Sequence, residues 1–218
     1  MRLVFIGSSL FSCIFLLTLL QANFSILVIF TKLPLCFRLL KKVSLSVEKI
    51  SFLFNIPCLN SSFISNYFCF QLFCNIQIDY IILASCAVFL SSPLLRLPKY
   101  GSLNLHPSIL PRFYGSNPIN YTLFLKDSLS GLTALFITSS IDFGPILFCV
   151  FDVKQSFRSC FFFNCYFSYF GAVYVLKHLV YFSFFCSRLK FFLTYNNDNN
   201  IITKKLYFSF VKKENLTF

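Results

Sequence analysis

The chain opens on a long apolar run with two short interruptions. Residues 3–31 carry no charge, and only Gly7-Ser8-Ser9 and Gln21-Ala22-Asn23 break the run. These breaks parse it as a strand over Arg2–Gly7, a turn and N-cap at Ser8-Ser9, a helix over Phe11–Gln21 and a second strand over Ser25–Thr31. Parallel strands buried on both faces read as near-continuous apolar stretches, so the pattern predicts a βαβ unit. A membrane span, or a signal peptide with Arg2 as its basic end, competes for the same residues. The predicted helix also lacks a charged outer face, which counts against the βαβ parse. The segment lengths favour βαβ. Further on, the pattern predicts a helix over Val43–Phe54, a turn at Asn55-Ile56-Pro57 and a buried strand over Ile78–Ser85. A short helix over Ser92–Pro98 follows, then a strand entered at Tyr100-Gly101. A strand over Phe148–Val153 and a helix over Phe157–Val180 close the series. Strands alternating with helices imply an open, mostly parallel sheet, whose ligands sit beyond the carboxyl ends of the strands. From about Ser187 onward, Asn196-Asn197-Asp198-Asn199-Asn200 and Lys212-Lys213-Glu214 read as a polar, low-complexity tail. The expected organisation is one α/β domain over residues 1–180 and a tail over 181–218.

Composition complicates that picture. The chain is 57% hydrophobic, with 33 Phe and no Trp. Such a bias raises the prior for a small polytopic membrane protein, and the Phe-rich late segment also suits a truncated, inactive product. Nineteen Lys and Arg against seven Asp and Glu give a net charge of +12, suited to a polyanion such as RNA or to an anionic membrane. The one basic connection in the first half runs from Lys32 to Lys49. Ten Cys occur without a Cys-x-x-Cys spacing, which reads as buried free thiols and predicts no metal site.

Between Leu103 and Leu147 the apolar background gives way to polar residues, Gly and Pro. Asn104-Leu105-His106-Pro107-Ser108-Ile109-Leu110-Pro111 comes first, then Gly115-Ser116-Asn117-Pro118-Ile119, then Asp142-Phe143-Gly144-Pro145-Ile146-Leu147. Asn104 and His106 are two apart, so on a strand they project to the same side. That sets an amide donor beside a group able to exchange a proton near neutral pH. Asp142 is distant in sequence, and only folding brings it near the imidazole.

These three segments, in this order, resemble the folate-dependent formyltransferase family, as do Asp127, Gly131 and Thr133 between them. Met1 to Gly7 and Asp79 to Ala84 are similar to the family's first strand and its cofactor-pocket strand. The resemblance covers roughly residues 1–180, most securely 79–147. It implies a Rossmann-like catalytic domain that takes a formyl group from 10-formyltetrahydrofolate. Asn104, His106 and Asp142 are implied as catalytic residues. Ser85, Ala87, Ser108, Leu110, Pro111 and Gly144 are implied around the folate. The branch that acts on methionyl-tRNA fits best, which makes methionyl-tRNA and folate the expected partners. Arg38, Lys41, Lys42 and Arg112 are then the candidate tRNA contacts, and a mitochondrial location is the expectation. No stable protein partner is implied, and membrane association stays open. Ile119-Asn120-Tyr121-Thr122-Leu123 is more similar to the branch that hydrolyses formyltetrahydrofolate, and the branch acting on glycinamide ribonucleotide is a further alternative. Several departures stand out. Tyr114 replaces the family's usual Arg, Thr138-Ser139-Ser140 replaces a more acidic segment, Lys126 and Cys86-Ala87 stand where Gly is common, and nothing matches the C-terminal β-barrel of the tRNA branch.

Overall fold

The structure is a computed structural model that describes residues 1–32, 45–125, 129–152 and 160–193. The predicted opening unit is present as β1 (Arg2–Gly7), α1 (Leu10–Gln21) and β2 (Ser25–Thr31). Side chains alternate across β1. Val4 and Ile6 enter a core with Phe30, Phe73, Ile81 and Leu83, while Phe5 stacks on Phe15 of α1 at 6.3 Å. The strand is therefore buried on both faces, which explains its unbroken apolar sequence.

Ser9 caps α1 by accepting the Ser12 N–H at 3.3 Å. Ser12 then does more than close the cap. Its hydroxyl accepts the N–H groups of Ser8 and Ser9, each at 3.1 Å, and donates to the Ala84 carbonyl at 2.6 Å. Gly7 leaves room for this arrangement: a Cβ there would come within 2.5 Å of Ser12 Cβ.

The chain continues through α2 (Val47–Leu53), β3 (Cys58–Asn60), a 3-10 turn (Ser61–Ser65) and α3 (Tyr67–Cys74). Then come β4 (Tyr80–Ala84), α4 (Ser92–Arg96) and β5 (Gly101–His106). The remaining elements are α5 (Pro118–Phe124), β6 (Ser130–Phe136), β7 (Ile146–Asp152) and α6 (Cys160–Leu193). The seven strands form one sheet in the order β3-β2-β1-β4-β5-β6-β7. The first five are parallel, β6 pairs antiparallel with β5, and β7 pairs antiparallel with β6.

Four elements depart from the sequence expectations. α3, α5 and β6 are additional, and α6 runs to Leu193. The β6 residues Ser130–Ala134 and Leu135 are buried, so Gly131-Leu132-Thr133-Ala134-Leu135 shows no alternation. A short buried run of this kind cannot be told from a helix by periodicity. Residues 3–31 form strand, helix and strand rather than one continuous helix. Among the described residues, no helix is long and apolar enough to cross a membrane. Arg38, Lys41, Lys42, Asp127 and the region beyond 193 lie outside the described residues.

Two compact units divide at Val173/Tyr174, within α6. In the second, the Tyr174 carbonyl contacts His178 Nδ1 at 2.8 Å, and Lys177 Nζ lies 5.7 Å from the Tyr174 ring centre.

Candidate active site

β5 ends at His106, and the two side chains predicted to share a side of that strand do so. The loop after β6 carries Asp142 back to them. Asn104 Nδ2 donates to Asp142 Oδ1 at 3.0 Å, and His106 Nδ1 lies 3.6 Å from Asp142 Oδ2. The imidazole and carboxylate side chains are 6% and 5% exposed, so their interaction is shielded from water. Gly115 N–H donates to Asp142 Oδ2 at 2.8 Å. Asp142 takes a left-handed backbone, φ 56°, a conformation Asp and Asn tolerate better than most residues.

The imidazole is held from its other side. Its Nε2 is 2.8 Å from the Phe113 carbonyl, which can only accept, so Nε2 carries the proton. That leaves Nδ1, the nitrogen facing Asp142, to take and release a second proton. Asp142 attracts the positive charge the ring then gains.

The loop Pro107–Arg112 is clamped from below. Thr133 Oγ1 donates to the Ser108 carbonyl at 2.7 Å and accepts the Leu110 N–H at 3.1 Å. Ser108 Oγ donates to the Arg112 carbonyl at 2.7 Å. A Cβ on Gly131 would come within 2.4 Å of Ile109. Gly131 and Thr133 thus seat the loop that presents the Phe113 carbonyl to His106. Gly144 is needed for an equally direct reason: its Cβ would fall 1.6 Å from the Phe136 carbonyl oxygen.

A cavity of about 680 Å³ opens beside these groups. Asn104, His106 and Asp142 lie on its wall, with Ser85, Cys86 and Ala87 after β4, and with apolar Leu83, Val88, Leu90 and Ile137. Its size and its apolar lining around a few convergent polar groups are those of a small-molecule site. Of the residues expected around a folate, Ser85 and Ala87 line the cavity. Ser108, Leu110, Pro111 and Gly144 do not line it, and they shape the loops that carry the wall. Arg112 also lies off the cavity wall, with its guanidinium carbon 5.5 Å from the Phe113 ring centre. Burial pushes the Cys86 thiol up, and Ser8 Oγ donates to its sulfur at 3.6 Å.

Sequence reasoning missed several participants. The Gly115 N–H and the Phe113 carbonyl are backbone groups with no side-chain signature. Asn164 of α6 is 7% exposed and lines the cavity, its Nδ2 donating to the Cys160 carbonyl at 2.6 Å. Its position in a Phe-rich helix gave no polar pattern to follow. Among the described residues, no three of His, Cys, Asp and Glu cluster as metal ligands.

Comparison with known proteins identifies the family and the fold that carry this site. The formyl transferase family model matches residues 16–151. The methionyl-tRNA formyltransferase of Blochmanniella floridana is 35% identical over 148 residues, covering 67% of this chain and 46% of that protein. Its counterpart from Wolbachia pipientis subsp. Culex pipiens is 32% identical over 152 residues, covering 67% and 50%. The chain spans about half the length of the curated relatives it matches. Solved structures share the fold. The phosphoribosylglycinamide formyltransferase of Streptococcus pneumoniae superimposes with a TM-score of 0.62 at 16% identity, over 84% of this chain and 98% of that one. A formyltetrahydrofolate deformylase of Pseudomonas syringae pv. tomato gives 0.61 at 21% identity, over 82% and 61%. A family match over more than half the chain, on a Rossmann-like mostly parallel sheet that carries Asn104, His106 and Asp142 on its cavity wall, places the chain in the formyl transferase family.

Proposed function

We propose that the chain transfers a formyl group from 10-formyltetrahydrofolate to the amino group of methionyl-tRNA. The observation that carries this reading is the convergence of Asn104, His106 and Asp142 on one cavity wall. The cavity suits a folate in volume and in its apolar lining. When bound, the folate supplies the activated formyl group. The relatives named methionyl-tRNA formyltransferase favour an aminoacyl-tRNA as acceptor.

Attack of an amine on a formyl carbon builds negative charge on the formyl oxygen. Asn104 has two N–H groups on Nδ2, and one of them is spent on Asp142. The other is the donor for that oxygen, a contact of the kind worth ~3–4 kcal/mol in acyl chemistry. His106 takes the proton lost by the amine at Nδ1 and returns it to the departing nitrogen. Asp142 orients both side chains and balances the imidazolium while it lasts. The backbone contacts from Gly115 and Phe113 hold the carboxylate and ring in place, so little reorganisation accompanies the transfer.

Residues 1–180 are assigned to the catalytic domain and 181–218 to a tail, and the expected location is the mitochondrion. The test of the reading is direct. The purified full chain is incubated with 10-formyltetrahydrofolate and methionyl-tRNA, glycinamide ribonucleotide or buffer alone, and the formylated product is measured. Formyl-methionyl-tRNA is the expected product. Formylated ribonucleotide, or free formate in every vessel, would move the chain to another branch of the family.

A further inference from the structure

Two aromatic side chains at the catalytic centre are turned out to solvent. Tyr114 is 67% exposed and Phe143 is 74% exposed. Their rings face each other at 6.3 Å between centres and at 56°, forming an angled corner. Neither ring is incidental in position. Tyr114 precedes Gly115, Phe143 follows Asp142, and Gly115 and Asp142 are joined by the 2.8 Å hydrogen bond that fixes the carboxylate. Both flanking residues line the cavity. A second pair begins at the neighbouring residue: Phe113 stacks on Tyr121 at 6.4 Å and 8°, with the Arg112 guanidinium over the Phe113 ring.

Large exposed aromatics set on rigid backbone next to an active site call for an occupant with flat, apolar faces. Base–aromatic stacking fits, because every nucleobase has a π-face and each such contact is worth a measurable loss on alanine substitution. The net charge of +12 draws in the polyanion that carries such bases. In an aminoacyl-tRNA the amine to be formylated hangs from the last, unpaired nucleotide. When that amine enters the cavity, the terminal bases lie at its rim. We propose that Tyr114 and Phe143 form a stacking platform for an unpaired nucleobase at the acceptor end of an RNA. This rests on the reading of an aminoacyl-tRNA as acceptor. At Tyr114 a ring stands in place of a cation, so the platform holds the base by stacking, and its contribution changes little with salt.

The experiment compares the full-length chain with the double variant Tyr114→Ala/Phe143→Ala and with the ring-keeping variant Tyr114→Phe/Phe143→Tyr. Fluorescence anisotropy reads binding of a short single-stranded RNA ending in CCA. A thermal shift with a 10-formyltetrahydrofolate analogue shows that each variant is folded with its cavity formed, and Tyr114→Ala alone serves if the double variant does not fold. The alanine variant should bind the oligonucleotide ~5- to 100-fold more weakly, while the ring-keeping variant stays within about twofold. The KM for methionyl-tRNA should rise by a similar factor. Equal affinity of alanine variant and parent, or no oligonucleotide binding by the parent, overturns the platform. If methionyl-tRNA is formylated and its KM ignores both rings, the platform fails and the proposed function stands. If the rings govern oligonucleotide binding but methionyl-tRNA is never formylated, the platform stands and the choice of acceptor is wrong.

Discussion

Asp142 meets three groups at once: the Asn104 amide, the His106 ring and the Gly115 N–H. Asn tolerates the same left-handed backbone but has one acceptor oxygen where the carboxylate has two, so Asp142→Asn keeps only one of the hydrogen bonds from Asn104 and Gly115. Asp142→Asn should lose ~1–3 kcal/mol of stability and more than ~100-fold in formyl-transfer rate. Asn104→Ala should cost ~100- to 1,000-fold in kcat, with donor affinity less affected. A substitution at Gly144 acts on the fold instead. The added Cβ of Gly144→Ala would collide with the Phe136 carbonyl, a backbone atom that cannot step aside. This variant should lose more than ~4 kcal/mol, or fail to melt cooperatively, as read by circular dichroism. Cys13 supplies a pH-dependent effect. Burial, with the Glu48 charge adding to it, pushes its thiol from 9.0 up to about 12. Between those values the unfolded chain releases a proton that the folded chain keeps, so stability falls as pH rises from about 9 towards 12. The stability gap between the parent and Cys13→Ala should therefore be narrower at pH 10.5 than at pH 7.5 in urea titrations.

Contacts between elements explain why the opening unit seats so firmly. The Ser12 hydroxyl joins the α1 N-terminus to the end of β4, where the cavity wall begins. Ser12→Ala removes the partner of two backbone N–H groups and of the Ala84 carbonyl. A loss of ~1–3 kcal/mol is expected, measured as a shift of the urea midpoint. β6 has a comparable role at the other side of the site. Its Thr133 clamps the Pro107–Arg112 loop and its end leads into the loop bearing Asp142. Thr133→Val keeps the shape of the side chain and deletes the hydroxyl, so it should loosen the Phe113 carbonyl on His106. The expected result is a lower kcat in the formyl-transfer assay. The βαβ opening was legible because its strands and helix are long, and because breaks fall where turns are needed. β6 was not legible, since its residues are buried on both faces and carry no alternation.

At the scale of the whole molecule, β5 and the loop after β6 bring Asn104, His106 and Asp142 to one cavity, which the loop after β4 also lines. A folate analogue at a hundred times its dissociation constant should stabilise the full chain by about 2.7 kcal/mol, and the thermal shift should persist in His106→Ala if the cavity alone binds it. The sequence by itself determined the parallel half of the sheet, because buried strands separated by helices leave a periodicity that survives any tertiary arrangement. It also singled out Asn104, His106 and Asp142 as candidates, through two side chains sharing a strand face and through three motifs in fixed order, and the fold brings the three together on one cavity wall. Only the tertiary structure decided the antiparallel turn of β6 and β7, since strand direction has no local signature. It alone decided which backbone groups hold Asp142 and His106, because an N–H or a carbonyl has the same chemistry at every residue. It alone turned Tyr114 and Phe143 outward. In a chain with 33 Phe, an aromatic residue reads as core until a fold leaves it in water.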